Sequence, residues 1–361
     1  MTWQTIALVK AVLCVAAISM AVIACLLHRL HCGSYNKQLR IAFLILGALG
    51  VGAYFNFGRF LGGGITDSIL WYDFYHYYMG AKYFPELHYD GLYRATVVAD
   101  DEDARMFRGV KGFGWVRDLM ADRLVPVRDV LARKQEVRAQ FQPARWNQFK
   151  TDLRFFQAHI PAGTWPGMLT DFGFNGTPVW VLGGAVLSGL CHTAQYWQAV
   201  ALVWLDVLLM AVAFAFVYRA FGLTAGSLAL LFVGVNYAHR YEFISGSLLR
   251  WDWLAYLLIG VSLVKIRRYR SAGFFLAYSS LLRVFPLAYV GGVVVKFVHS
   301  LVRDRRASAQ EFTLLKSFGA SAALLVALSV LQPGGARQRQ VLCKLLRGIR
   351  PLLGRSRRVN G

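Results

Sequence analysis

The sequence predicts an all-α integral membrane protein, a bundle of about seven to nine membrane helices, some short or re-entrant, with one large water-facing first loop. Three observations lead there. Of 361 residues, 57% are hydrophobic and only 16% are charged, and the mean hydropathy is +0.43, a surplus beyond what a globular core consumes. The apolar residues fall into recurrent runs, the longest of which match a hydrocarbon core about 30 Å thick at about 1.5 Å per helical residue. Lys and Arg, which set the formal charge at +21, lie in short clusters between those runs. That is the pattern of cytoplasmic membrane loops, so nucleic acid is not expected as a partner.

The first run covers residues 5–27. Lys10 lies inside it, no small-residue cleavage site ends it, and a second run at 39–57 follows closely, so residues 1–57 read as a transmembrane hairpin and not as a signal peptide. The connector carries Arg29, Lys37 and Arg40 without an acid, which assigns it to the cytoplasm and sends the chain after Phe57 outside. No stretch in 58–177 can span a bilayer, and its acids and bases nearly balance, so this is expected to be a folded extracytoplasmic loop region. Within it, Trp146, Phe149, Leu153 and Phe156 recur at spacings of three and four over 143–159, predicting an amphipathic helix. That helix lies either along the membrane surface or in the core of the loop region.

Residues 178–331 form the helical bundle, with apolar runs at 178–190, 196–217, 222–237, 251–265, 272–299 and 314–331. The run at 178–190 is short and reads as re-entrant or interfacial. Arg283 and Pro286 interrupt the fifth run, predicting two short helices that meet near Arg283. Both flanks are basic, with KIRRYR at 265–270 and Arg303, Arg305 and Arg306 beyond, placing them in the cytoplasm. Residues 332–361 hold eight Lys or Arg and no acid, and are expected to be a disordered cytoplasmic or membrane-surface tail. Cys14, Cys25, Cys32, Cys191 and Cys343 lack metal-ligand spacing and imply neither a zinc site nor a disulfide framework.

Polar chemistry concentrates in 67–93, where Asp67 and Asp73 stand among Trp71, Tyr72, Phe74, Tyr75, Tyr77 and Tyr78. Such rings suit the headgroup level and can stack on a sugar. A partly desolvated carboxylate there can act as a general base, worth roughly 10²–10⁴ in rate; the structural alternative is an aromatic belt with incidental acids. Asp206 sits mid-run and must be paired or protonated. Arg250 and Asp252 flank Trp251 where they can line a cavity mouth, and Arg283 within an apolar segment is either functional or snorkelling. His239, Arg240 and Glu242 form a polar connector. The run Asp100, Asp101, Glu102, Asp103 is either a divalent-cation site or a solvated turn or helix start; it lacks calcium-loop spacing. Asn175-Gly176-Thr177 is formally a glycosylation sequon.

Asp73 followed by Tyr77, Gly80 and Gly91-Leu92-Tyr93 resembles the first-loop signature of membrane glycosyltransferases of the GT-C superfamily, closest to its polyprenol-phosphate-mannose mannosyltransferase branch. Phe172, Phe174 and Pro178, the stretch from Arg250 to Leu254, and Arg283-Val284-Phe285-Pro286 after a basic pair are similar to further passages of that branch, with Arg283 where Lys is usual. The resemblance implies a GT-C-like bundle and inverting transfer from a polyprenyl-phosphate sugar to a glycan, glycolipid or protein acceptor. Asp73 matches the base; Arg283 and Arg250 would bind the donor phosphate, and Asp67, Tyr77, Tyr78, Tyr93 and Asp252 would line the substrate. No cofactor is demanded, with a divalent cation as the one candidate. Membrane lipids surround the protein, and the expected location is a bacterial inner membrane with the site facing the periplasm or exterior. A flippase for lipid-linked saccharide would share the cations and aromatics without needing Asp73 as base. An inert relative is the third reading, because members of that superfamily usually carry further spans beyond the point where this sequence turns basic.

Overall fold

The computed structural model describes residues 2–29, 36–61, 68–190, 192–236, 246–305 and 308–331. In chain order the elements are α1 (Trp3–Arg29), α2 (Asn36–Tyr54), α3 (Trp71–Lys82), α4 (Phe84–Leu87), α5 (Leu92–Glu102), β1 (Trp115–Asp118), β2 (Arg123–Pro126), α6 (Val127–Ala132), α7 (Lys134–Arg138), α8 (Pro143–His159), α9 (Trp165–Met168), α10 (Pro178–Gly189), α11 (Tyr196–Val235), α12 (Asp252–Lys265), α13 (Tyr269–Leu282), α14 (Leu287–Asp304) and α15 (Ala309–Leu331). Four of the described helices, Trp3–Leu27, Lys37–Tyr54, Tyr196–Val235 and Ala309–Leu331, are long and apolar enough to cross a membrane. The protein is therefore a mostly helical membrane protein. Along α1 the side chains of Leu8, Val12, Val15, Ile18 and Val22 are all exposed, as expected of a helix whose outer surface meets lipid.

The described residues divide into two compact units, one within 1–77 and 193–322 and the other within 78–192 and 323–331, the first division falling within α3. The loop region delimited from sequence as 58–177 is thus offset: Asp73 and Tyr77 belong with the apolar helices, whereas α10 belongs with the loop unit.

In the first unit, α2 and α11 approach closely because glycines line their contact. A Cβ on Gly50 would lie 2.7 Å from the Leu231 Cα, and one on Gly234 would fall on the Gly50 carbonyl oxygen. Small residues at such crossings let backbones approach closely and pack, one of the contributions to helix association in lipid. The expected helices at 196–217 and 222–237 form a single element broken at Gly222, whose φ of 80° is open to glycine. Helix α12 packs between α11 and α13 through Ala255, Ile259 and Leu263, a one-turn repeat buried with Met210 and Phe214 of α11 and Leu276 of α13. The expected break near Arg283 is present, with α13 ending at Leu282 and α14 beginning after Pro286. Lys10, flagged inside the first run, is buried and donates from Nζ to Asn56 Oδ1 at 3.1 Å.

The second unit is a small helical domain with the antiparallel β1–β2 hairpin. On α8, Trp146, Phe149, Leu153 and Phe156 are all buried, and Trp146 and Phe149 pack on Phe141 of the same unit. The aromatic stripe is consumed by the unit's own core; of the two placements expected for this helix, the core is the observed one. The centre of that core is polar. Lys82 Nζ lies 2.7 Å from Asp152 Oδ2, Tyr83 donates its hydroxyl to the same oxygen at 2.8 Å, and Lys82 donates to the Tyr78 hydroxyl at 3.1 Å. Burying this pair is sustained by the hydrogen bonds that saturate it.

Candidate functional site

Helix α3 starts at Trp71, so Asp73 lies in its first turn and Tyr77 one turn later on the same face. Facing them is Arg250, at the end of the segment that precedes α12. Leu70 N–H donates to the Gly246 carbonyl at 2.6 Å, and Gly246 takes φ of 99°, a conformation that glycine tolerates. At the other end, Asp206 of α11 accepts the backbone N–H groups of Arg250 at 2.7 Å and Trp251 at 3.2 Å. This answers the expectation that Asp206 is paired or protonated: its partners are the amides of the two residues that lead into α12, so a carboxylate on one helix anchors the chain entering another.

So held, the Arg250 guanidinium stacks 4.2 Å from the centre of the Tyr77 ring and its Nε lies 3.2 Å from Asp73 Oδ2. The pair is close enough for ionic attraction but not aligned as a hydrogen bond, and Nε and Nη1 of Arg250 are buried without a hydrogen-bond acceptor. Arg283, in extended backbone at the end of α13, directs Nη2 to the Tyr77 hydroxyl at 3.5 Å. Asp252 is buried at the first turn of α12, where its Oδ1 accepts the Trp253 N–H at 2.7 Å, within electrostatic range of both arginines and of Asp206. Two guanidiniums thus converge on one tyrosine, beside a partly exposed carboxylate. Unmet, desolvated donors on a cation are costly, and a doubly charged oxyanion satisfies several at once through the planar fork of Arg.

Comparison of the chain with protein-family models, curated proteins and solved structures returns no match.

Asp73, Arg250, Arg283, Tyr77 and Asp252, singled out from sequence, therefore come together in the first unit. Tyr78 and Tyr93 fall in the second unit. Both are buried there, Tyr78 against Phe156 and Lys82, and Tyr93 donating its hydroxyl to Asp171. Asp67, His239, Arg240 and Glu242 lie outside the described residues. Other signature residues have packing explanations within the second unit. A Cβ on Gly80 would lie 2.5 Å from Phe174 Cγ, one on Gly91 would lie 2.7 Å from the Leu87 carbonyl oxygen, and Phe174 stacks on Tyr89. Thr177 of the sequon caps α10, accepting the Trp180 N–H at 3.2 Å.

Of the turn or helix start expected for it, the acidic run forms neither a helix start nor a free turn alone: it closes α5 at Glu102 and passes into a turn at Asp103. Its charges are matched by neighbours: Asp100 accepts the Met106 and Phe107 amides and the Gln157 side chain, Asp101 pairs with Arg108, Glu102 faces Lys150, and Asp103 pairs with Arg154. Among the described residues no group of three or more His, Cys, Asp or Glu converges as a metal site.

Proposed function

We propose that the protein is a membrane glycosyltransferase that moves a sugar from a polyprenyl-phosphate donor to a glycolipid, polysaccharide or protein acceptor on the outer face of the membrane. The observation that carries this reading is Arg250, ion-paired with Asp73 yet with buried Nε and Nη1 lacking an acceptor, beside Arg283 on the same tyrosine. The donor phosphate supplies the missing acceptors. As it takes the Arg250 guanidinium, it draws the cation away from Asp73 and leaves that carboxylate to accept the proton of an acceptor hydroxyl. The acceptor oxygen then attacks the anomeric carbon as the bond from that carbon to the phosphate oxygen breaks. The configuration inverts, and the polyprenyl phosphate departs with its charge held by Arg250 and Arg283.

An apolar cavity of about 260 Å³ supports a lipid substrate; it is lined by residues including Val51, Tyr54, Phe55, Val207 and Met210. Val207 directly follows Asp206, which fixes Arg250, so the same turn of α11 serves both the apolar cavity and the cationic cluster. On this reading the two halves of α11 and the short helices α10, α12, α13 and α14 supplement the long spans to make up the seven to nine membrane helices of a GT-C-like bundle. The basic connector with Arg29, Lys37 and Arg40 then faces the cytoplasm of a bacterial inner membrane.

Sugar transfer from a panel of radiolabelled polyprenyl-phosphate sugars, in membranes holding the full chain at matched levels, tests the proposal. Transfer is expected, abolished by Asp73→Asn and reduced by Arg283→Ala. Undiminished transfer by Asp73→Asn removes the base from the mechanism, and no transfer from any donor removes the activity.

A further inference from the structure

The second unit contains a polar pocket of about 170 Å³ whose rim draws on α5, the β hairpin and the α6–α7 segment. Three arginines line it: Arg94 on α5, Arg123 on β2, and Arg133 between α6 and α7. Three carboxylates, Asp118, Asp129 and Glu136, line it as well. Asp118 accepts the Met120 and Ala121 amides in the hairpin turn, and Asp129 lies 3.6 Å from Arg128 Nε. Arg94 donates from Nη2 to Asp90 at 3.1 Å, while its Nε is buried without a hydrogen-bond acceptor. Among the described residues neither Arg123 nor Arg133 pairs with a carboxylate, and Glu136 pairs with no cation.

We infer that this pocket binds the oxyanion of an acidic sugar, its carboxylate or phosphate held by Arg94, Arg123 and Arg133 and its hydroxyls by Glu136 and Gln140. Arginines converging from three elements offer planar donors at several angles, which suits a compact oxyanion better than a single hydroxyl. The uncommitted Glu136 is the complementary feature. A carboxylate repels a bare anion but accepts hydrogen bonds from sugar hydroxyls, and Gln140 beside it both donates and accepts. A ligand with an oxyanion at one end and hydroxyls at the other engages the arginines and Glu136 together.

The site is tested by binding, independently of sugar transfer, with the full chain in lipid nanodiscs. Titration calorimetry with glucuronate, glucose 6-phosphate, glucose and inorganic phosphate separates the sources of the oxyanion. At least one acidic sugar is expected to bind more tightly than glucose or inorganic phosphate. The exposed pair of changes Arg123→Gln and Arg133→Gln is expected to weaken it at least about tenfold without altering the melting temperature. Glu136→Ala is expected to weaken the acidic sugar but not inorganic phosphate. Preference for glucuronate assigns a carboxylate, and preference for glucose 6-phosphate assigns a phosphate. Glucose binding as well as either acidic sugar, affinity unchanged in the double variant, or no acidic-sugar binding in the millimolar range overturns the inference.

Discussion

Asp206 accepts the backbone N–H groups of Arg250 and Trp251 at 2.7 and 3.2 Å, so a carboxylate in the middle of an apolar helix fixes the position of the arginine that stacks on Tyr77 and pairs with Asp73. Removing it strands two buried amides. Asp206→Ala is expected to destabilise the first unit by about 2–4 kcal/mol and to impair transfer through misplacement of Arg250. Asp206→Asn, which keeps one acceptor oxygen, should retain more of both. Melting temperature and donor KM of the two variants, measured in parallel, check this; equal behaviour would show that the carboxylate position is unimportant.

The Lys82–Asp152 pair is buried at 2% and 0% side-chain exposure, with Tyr83 donating to the same carboxylate. Breaking one side leaves an uncompensated charge. Asp152→Ala is expected to cost about 3–5 kcal/mol, whereas the double change Lys82→Met with Asp152→Leu should recover most of that loss. Denaturant or thermal unfolding of the single and double variants tests the sign of the difference.

Glycine placement predicts opposite outcomes at two positions. Gly234→Ala would set a methyl group on the Gly50 carbonyl oxygen, forcing α2 and α11 apart and lowering the melting temperature. Gly291 lies within α14 with open space around its Cβ position, so Gly291→Ala should be neutral or stabilising by up to about 1 kcal/mol through helix propensity.

The acidic end of α5 carries two pH dependences of opposite sign. Burial pushes the Asp100 carboxyl above its ordinary value despite the donors that oppose the shift. The folded state therefore holds the proton to higher pH, and the contribution to stability falls as pH rises from the ordinary carboxylate value through the raised one. At Asp103 the hydrogen bond from Arg154 holds the carboxyl below its usual value, so its contribution is present above the ordinary value and lost as pH falls through the lowered one. Because Arg154 is largely exposed, that second contribution should stay under about 1 kcal/mol and fade in high salt. Unfolding free energies of Asp100→Asn and Asp103→Asn across acidic pH should show each slope reduced in turn.

The sequence by itself determined the membrane class, the amphipathic character of α8, the break near Arg283, and the short list holding Asp73, Arg250, Asp252 and Arg283. Each was legible because the signal is local: hydropathy over a run, side-chain spacing along one helix, or a charge stranded among apolar neighbours. Tertiary structure decided what those residues face. It buried Tyr78 and Tyr93, which the same aromatic stretch and signature had offered as substrate-lining, and it spent the α8 stripe on a core. It also brought Asp206 to the start of α12 and Arg250 to Asp73 across intervals in which no periodicity links them. The physical reason is that a helix fixes neighbours only three and four residues apart, whereas the pairing of one helix with another rests on the shapes of both surfaces, here on glycines that let α2 meet α11 and on one carboxylate that holds the chain before α12 in place.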